Sequence, residues 1–274
     1  MKFVLLHHPR SGSTLMTSAL MQHPSIRMFG EVFSDDKEDR ITAFLTFDEM
    51  FGFQEKALPE DALKAQGTRR SVKLARTVIK DYYKDSIDGA AFLQEKVFQK
   101  PLQEGYLAAG FRIFYDHARS DTNVSRVWDY LLEDKEVHVI HLRRRNLLET
   151  YLSFHLASLT EKWVVRVWET QSTQPQVTLD PHACQTFFEE TISYQERLLQ
   201  AFADHPLLEL EYKRDMHLQF HDTMRKIQSF FQVPYQPLQA VLQKQSHVTP
   251  QEQISNYEEL KACFHATPYK EFFV

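Results

Sequence analysis

The first twenty-three residues run from a short apolar stretch through small polar residues into a helical pattern. Residues 3–6 are all apolar, which is typical of a buried strand, and residues 7–14 have the composition of a turn. Residues 15–20 then place apolar side chains at helical spacing on one face. This order predicts a strand, a loop and a helix that follow one another without a gap.

Apolar runs of strand length alternate with longer helical patterns in the rest of the chain. The predicted strands are residues 25–29, 107–114, 137–142 and 207–212, and the predicted helices are residues 124–132, 146–159, 182–203 and 216–231. Strands separated by helices favour parallel pairing with right-handed crossovers. We therefore expect an α/β sandwich around one central, mostly parallel sheet. The alternation within residues 137–142 predicts that one face of that strand is less dry.

Residues 34–105 are more charged, and their pattern is mainly helical, with helices expected at 72–84 and 91–100. We interpret this segment as a helical insertion that packs over the sheet. A length of 274 residues with 43% hydrophobic content suffices for one large core. We therefore assign residues 1–274 to a single domain.

Composition narrows the class of protein. The net charge of −5 argues against a general nucleic-acid or membrane-surface binder, since no basic segment offsets the acidic average. Cys184 and Cys263 lie far apart without metal-ligand spacing, so we expect buried free thiols and a reducing compartment. The chain has neither an apolar run of transmembrane length nor a signal-peptide pattern at its start. These features predict a soluble, cytoplasmic protein without stable membrane insertion.

The loop at residues 7–14 is a candidate anion site. Small residues at a helix start direct backbone N–H groups and the positive end of the helix dipole into one concavity. Gly12 and its serine neighbours are also compatible with an ordinary turn and helix cap. A loop for a magnesium-bound nucleoside triphosphate needs G-x-x-x-x-G-K-[ST]. Here His7 stands at the first glycine position, Ser13 replaces the lysine, and the nearby cation is Arg10.

A second basic cluster follows the strand predicted at 137–142. Residues 143–145 are three consecutive arginines, and Asn146 with Glu149 resembles a capping box at the start of the next helix. The guanidinium group suits phosphate oxygens, and ligands bind at the carboxyl ends of strands in open α/β sheets. Ser153 lies about two turns into that helix, on the same side. Alone, the cluster is also compatible with a solvated basic surface. Two anion sites on one sheet edge instead suit a nucleoside with phosphates at both ends.

Both sites resemble those of sulfotransferases that use 3′-phosphoadenosine 5′-phosphosulfate (PAPS). Their 5′-phosphosulfate loop reads P-[KR]-[ST]-G-[ST]-[ST], and this chain reads Pro9-Arg10-Ser11-Gly12-Ser13-Thr14. Their 3′-phosphate motif is an arginine followed eight or nine residues later by a serine, which Arg144 or Arg145 with Ser153 matches. Residues 23–33, 110–116 and 244–260 are similar to segments of the bacterial carbohydrate and tyrosylprotein-like branch. The glycine-rich R-K-G lid of the cytosolic enzymes is absent.

The resemblance implies a P-loop-type fold and transfer of a sulfuryl group from PAPS to an acceptor hydroxyl. PAP, 3′-phosphoadenosine 5′-phosphate, would be the product, and no metal would take part. The N–H groups of Ser11, Gly12, Ser13 and Thr14 would hold the 5′-phosphosulfate, with Arg10 as a fixed cation at the breaking bond. Arg144 or Arg145 with Ser153 would hold the 3′-phosphate. Lys244 and Gln245 would belong to a lid over the nucleotide.

Glu31 is the candidate base for the acceptor hydroxyl, and His8 is the alternative. The resemblance is weaker here, because tyrosylprotein enzymes carry Gly-Glu-Glu where this chain has one carboxylate. Arg112 is a candidate sulfate clamp or a structural residue. The acceptor would be a small molecule, glycan or lipid, in a pocket formed by the insertion and by residues near Trp163 and Trp168. A kinase-like phosphotransferase and a non-catalytic anion-binding relative are the alternative functions, and the oligomeric state is left open.

Overall fold

The computed structural model describes residues 1–34, 36–51, 88–119, 122–170, 174–245 and 248–273. The helix predicted at 72–84 lies outside the described residues, as does the middle of the predicted insertion. The first helix of the chain, α1 (Ser13–Leu20), precedes the predicted insertion. The described parts of the insertion are helical, as expected. They comprise α2 (Lys37–Thr42), α3 (Phe47–Phe51), and α4 (Gly89–Phe92), a π-helical turn (Leu93–Gln99) and α5 (Lys100–Gln103) in continuous sequence. The assignment to a single domain stays a prediction.

The described residues form one parallel sheet of five strands, which confirms the predicted α/β class. The strands are β1 (Lys2–His7), β2 (Ile26–Phe29), β3 (Ala108–Phe114), β4 (His138–Arg143) and β5 (Leu207–Glu211). Their order across the sheet is β2-β3-β1-β4-β5. The first strand of the chain is therefore the central one, paired with β3 on one side and β4 on the other.

The later helices follow the predicted pattern with shifted ends. They are α6 (Thr122–Glu133), α7 (Leu147–Thr160), α8 (Pro181–Ala201), α9 (Phe220–Phe230), α10 (Pro250–Gln253) and α11 (Tyr257–Phe264). The helix expected at 216–231 is divided, because β5 runs directly into a π-helical segment, Tyr212–Leu218, before α9. Asp215 fixes this junction by accepting a 2.6 Å hydrogen bond from the N–H of Glu211. None of the helices in the described ranges is long and apolar enough to cross a membrane.

Hydrophobic clusters cover both faces of the sheet. Phe3 and Leu5 of β1 pack with α1 and α9, whereas Val4 and Leu6 pack with α6 and the helical segment 89–103. Successive side chains of a strand point to opposite faces, so an entirely apolar β1 is what a strand buried on both sides requires. Gly110 of β3 allows a close approach to β1, since a Cβ there would lie 2.3 Å from the carbonyl oxygen of Phe3.

The two cysteines differ in burial. Cys184 is buried and has no disulfide partner, as predicted, but Cys263 is exposed. The prediction of a second buried thiol was wrong because Cys263 lies on the outer face of α11, whose inner face carries the buried residues Leu260 and Phe264.

His141 shows that the polar alternation in β4 has an internal cause. Its side chain is 1% exposed, and the Tyr115 hydroxyl lies 2.8 Å from its Nε2. Burial raises the pKa of Tyr115, so the hydroxyl keeps its proton and donates it to the neutral ring. The expectation of a less dry strand face was therefore wrong at His141, because the ring is buried. Tyr115, the residue after β3, is the partner of its Nε2, whereas its buried Nδ1 has no hydrogen-bond partner among the described residues. Burial also lowers the pKa of His141 to about 4.

We expect His141 to make stability depend on pH between about 4 and 6.5. In that interval the unfolded chain binds a proton at this ring and the folded chain does not, so stability falls as pH falls. The effect is at most about 3 kcal/mol. Urea unfolding at pH 5 and pH 7.5 should give a smaller difference for His141→Gln than for the wild type. Some pH dependence of stability remains in this variant, because burial also lowers the pKa values of His7 and His8. An equal difference in both proteins would contradict this role of His141.

Candidate functional site

The loop after β1 has the backbone geometry of an anion cradle. Arg10 and Gly12 both have positive φ, 68° and 91°. A non-glycine residue in this region is strained and is often found at functional sites. Gly12 precedes Ser13, the first residue of α1, and supplies no side-chain cap, so the first N–H groups of α1 remain available to an anion. The Oγ of Ser11 is buried with no hydrogen-bond partner among the described residues.

Tyr212 lies directly against this loop. A Cβ at Gly12 would come within 2.3 Å of Cδ2 of the Tyr212 ring, so glycine is needed at position 12 for contact as well as for φ. The Arg144 guanidinium also lies over the Tyr212 ring, 4.5 Å from its centre. Tyr212 thus joins the loop after β1 to the arginine after β4. It is the first residue beyond β5.

Arg10 extends away from the loop toward the second predicted site. Its Nε donates to the Oγ of Ser153 over 3.1 Å, and its two terminal nitrogens donate to the carbonyl of Trp163 and the Oε1 of Gln245. Burial lowers the pKa of Arg10 to about 10, with a further contribution from the nearby charge of Arg144. A pKa of about 10 still leaves the guanidinium charged at neutral pH.

The three consecutive arginines occupy different surroundings. Arg144 has a side chain only 9% exposed, lies 3.7 Å from the Glu149 carboxylate, and has a buried Nε for which the described chain offers no acceptor. Arg145 is exposed and lines a separate cavity of about 540 Å³, which Arg144 also borders. Arg143 pairs with Glu209 at 3.7 Å. The Asn146 side chain caps α7 by accepting from the N–H of Glu149, as predicted.

Two short segments cover the site. Residues 163–168 pair antiparallel with residues 241–243 through a bridge between Arg166 and Leu242, and Gln243 N–H donates to the Val165 carbonyl over 2.9 Å. Gln245 then donates to the carbonyl of Lys162 over 2.7 Å. Trp163 therefore lies beside the loop at residues 7–14. The sequence analysis had instead placed it in the acceptor pocket.

One cavity of about 370 Å³ brings these parts together. It is bounded by the loop, the arginine after β4, the start of the π-helical segment and the two covering segments. The residues that line it include Arg10, Gly12, Ser13, Thr14, Arg144, Ser153, Trp163, Tyr212, His217, Lys244 and Gln245. Most of the motif residues predicted from two distant parts of the sequence thus face the same space, but neither Ser11 nor Arg145 is among the residues that line it.

Glu31 lies on the other side of Thr14. Glu31 is 7% exposed, and its carboxylate forms an ion pair with Arg112, whose Nη2 lies 3.1 Å from Oε1. The NH1 of Arg112 donates to the Thr14 hydroxyl over 2.8 Å. Thr14, Glu31 and Arg112 line a second cavity of about 30 Å³, so Thr14 borders both cavities. Burial raises the pKa of Glu31, and Arg112 opposes that shift.

His8 is set apart from this arrangement. Its Nδ1 lies 2.8 Å from the Pro9 carbonyl, and its ring packs edge-on against Phe187, 5.0 Å between centres. Burial lowers its pKa, so the ring is neutral at pH 7 with its Nδ1–H donated to that carbonyl. His8 lines neither of the two cavities that meet at Thr14. Its role as the alternative base stays a prediction.

Comparison with known proteins identifies the family of this chain. A model of the Sulfotransferase family matches residues 3–237. The chain belongs to the sulfotransferase family. Nodulation protein H of Rhizobium meliloti is 26% identical to it over 137 residues, 49% of this chain and 55% of that protein. Nodulation protein H of Rhizobium tropici is 27% identical over 134 residues, 48% of this chain and 53% of that protein. The chain spans about half the length of these curated relatives.

Among solved structures, this sulfotransferase-family chain is similar to the sulfotransferase domain of the Synechococcus PCC 7002 olefin synthase. That similarity has a TM-score of 0.41 and 15% identity, and covers 86% of this chain and 74% of that one. Family membership confirms the resemblance drawn from the loop at residues 9–14 and the Arg-Ser pair.

Sequence analysis missed the contribution of Tyr212 and of residues 163–165 to the cavity. Tyr212 had a readable signal, because it ends a predicted strand and so stands at the ligand-binding edge of the sheet. Residues 163–165 had none, since their position depends on pairing with residues 241–243, about eighty positions away.

Proposed function

We propose that this protein transfers a sulfuryl group from PAPS to a hydroxyl of an acceptor. The single observation that carries the proposal is the 370 Å³ cavity, which Arg10, Gly12, Ser13 and Thr14 of the loop share with Arg144 and Ser153. Two anion-binding groups facing one cavity suit a nucleoside with phosphates at its 3′ and 5′ positions.

The residues present fit such a ligand. The buried Oγ of Ser11 and the buried Nε of Arg144 have no hydrogen-bond partner in the described part of the chain, and a phosphate oxygen would satisfy either donor. Gly12 gives α1 no side-chain cap, so the first N–H groups of that helix are available to an anion. Ser11 to Thr14 would hold the 5′ end, and Arg144 with Ser153 the 3′ phosphate. Lys244 and Gln245 would cover the nucleotide.

Arg10 would act through its charge. Bound PAPS would supply the activated sulfuryl group, and the bond to the 5′-phosphate oxygen would gain negative charge as it breaks. An arginine keeps its proton under these conditions, so its contribution is electrostatic and not proton donation. Its three neutral acceptors leave its charge available to that oxygen.

Glu31 would accept the proton of the acceptor hydroxyl. It lines the 30 Å³ cavity, and Thr14 borders both that cavity and the 370 Å³ cavity, which suits a transfer between a donor in the larger cavity and an acceptor near Glu31. Burial raises its pKa and makes it a stronger base. The acceptor would be a small molecule, glycan or lipid that carries a hydroxyl group.

The proposal is tested by ligand-induced stabilisation. We expect PAP without magnesium to raise the melting temperature, because a ligand at 100 times its Kd stabilises the folded state by about 2.7 kcal/mol. Magnesium-ATP at the same concentration serves as the control. Stabilisation by magnesium-ATP alone would favour a phosphotransferase. PAP binding without transfer of ³⁵S from labelled PAPS to any component of a cell extract would favour a non-catalytic relative.

Arg144 and Arg145 form a matched pair of variants. We expect Arg144→Ala to weaken PAP binding about 10- to 100-fold, as loss of a charged hydrogen bond costs about 1.5 to 3 kcal/mol. Arg145→Ala should change the Kd by less than about threefold, since an exposed charge outside the cavity contributes little. Isothermal titration calorimetry measures both. The opposite order would assign the 3′-phosphate to Arg145.

Glu31→Gln should lower turnover by roughly 10² to 10⁴, the range expected for loss of a general base. PAP affinity should stay within about threefold, because Glu31 lies outside the nucleotide cavity. The measurements are PAP formation from PAPS with cell extract as the acceptor source, and PAP calorimetry. Turnover equal to the wild type would remove Glu31 from the mechanism and bring His8 forward.

A further inference from the structure

Arg112 connects the two sides of the site. It lies in β3 opposite Leu5 of the central strand, near the carboxyl end of the sheet. Its side chain is only 15% exposed. One terminal nitrogen donates to the Thr14 hydroxyl at 2.8 Å and the other lies 3.1 Å from Oε1 of Glu31. A single guanidinium therefore contacts both the anion loop and the candidate base.

We propose that Arg112 is a positioning residue for sulfuryl transfer, which holds the Glu31 carboxylate in a fixed orientation beside Thr14. This proposal rests on the proposed function and extends it to a residue between the donor and acceptor sides. The planar guanidinium fork can hold two acceptors in one fixed geometry, which the flexible ammonium of lysine reproduces less well.

The charges around Glu31 make Arg112 necessary in this role. Burial raises the pKa of Glu31, and the carboxylates of Asp39 and Asp116 raise it further, whereas Arg112 lowers it. Asp39 belongs to α2 and Asp116 follows β3, so both neighbouring elements face Glu31 with negative charge. Arg112 is the positive charge that favours the ionised carboxylate, the form able to accept a proton.

The surroundings of Arg112 also argue against a purely structural role. Its Nε is buried and makes no hydrogen bond to the residues that the structure describes. Most buried donors in proteins are hydrogen-bonded, and a catalytic role is one explanation of an unsatisfied one. Burial lowers the pKa of the neighbouring His7, and Arg112 lowers it further, so His7 is neutral and does not compete for Glu31.

The test measures the titration of Glu31 directly. The side-chain carboxyl carbon of Glu31 is followed by ¹³C NMR from pH 3 to 9, with Glu31→Gln to assign the signal. We expect Arg112→Met to raise the Glu31 pKa by about one unit or more, as loss of a close opposite charge does. Arg112→Lys should return it part of the way. Arg143→Met removes an arginine that also ends a strand and pairs with a glutamate, Glu209, and should leave Glu31 unchanged.

Function is followed by the pH dependence of PAP formation from PAPS. The rise of the reaction rate with pH on the acid side of the profile (the acid limb) should move to higher pH in Arg112→Met, because Glu31 then loses its proton only at higher pH. PAP affinity should stay within about threefold of the wild type. A Glu31 titration and an acid limb equal to the wild type in a folded Arg112→Met would overturn the proposal. If Arg112→Met does not fold, unchanged values in Arg112→Gln, which also removes the charge, do the same. Failure of the wild type to bind PAP would instead overturn the proposed function and leave the Glu31 titration to be judged separately.

Discussion

Parallel pairing on both sides of β1 is the constraint on which the site depends. Because β3 and β4 flank this central strand in the same direction, the loop after His7 emerges between their carboxyl ends. The chain fills one side of the sheet with β2 and β3 and the other with β4 and β5, so β1 is the topological switch point where such sheets bind ligands. Glu31 follows β2, Arg112 lies near the end of β3, Arg144 follows β4 and Tyr212 follows β5. Residues at the carboxyl ends of the other four strands thus lie around the loop that follows β1.

The strands and most helices were predictable because each buries an apolar pattern of its own period. The order of the strands was not, since β2 pairs with β3 and not with β1, and nothing local to residues 26–29 encodes that choice. The divided helix after β5 was missed for a related reason. Its break at Tyr212–Leu218 follows from the hydrogen bond of Asp215 to Glu211, a contact that apolar periodicity does not register.

The same distinction between local pattern and long-range packing applies to the candidate site. The loop at residues 9–14 could be recognised because its residues are contiguous, and the backbone there meets the need for positive φ at Gly12. The choice between Arg144 and Arg145 could not be made from the sequence, because both have the same spacing to Ser153 within one residue. Side-chain direction separates them, with Arg144 over the Tyr212 ring and Arg145 exposed. Such directions are set by packing across the fold.

The arginines of the site differ in whether a carboxylate compensates their charge. In the described part of the chain, Arg10 has three neutral oxygen acceptors and no carboxylate partner, although it is largely buried. Burying such a cation is costly unless an anion compensates it, so its position favours a negatively charged ligand in the cavity. Arg112 is instead compensated by Glu31 at 3.1 Å. An uncompensated cation therefore lines the 370 Å³ cavity and a compensated one lines the 30 Å³ cavity, and Thr14 borders both.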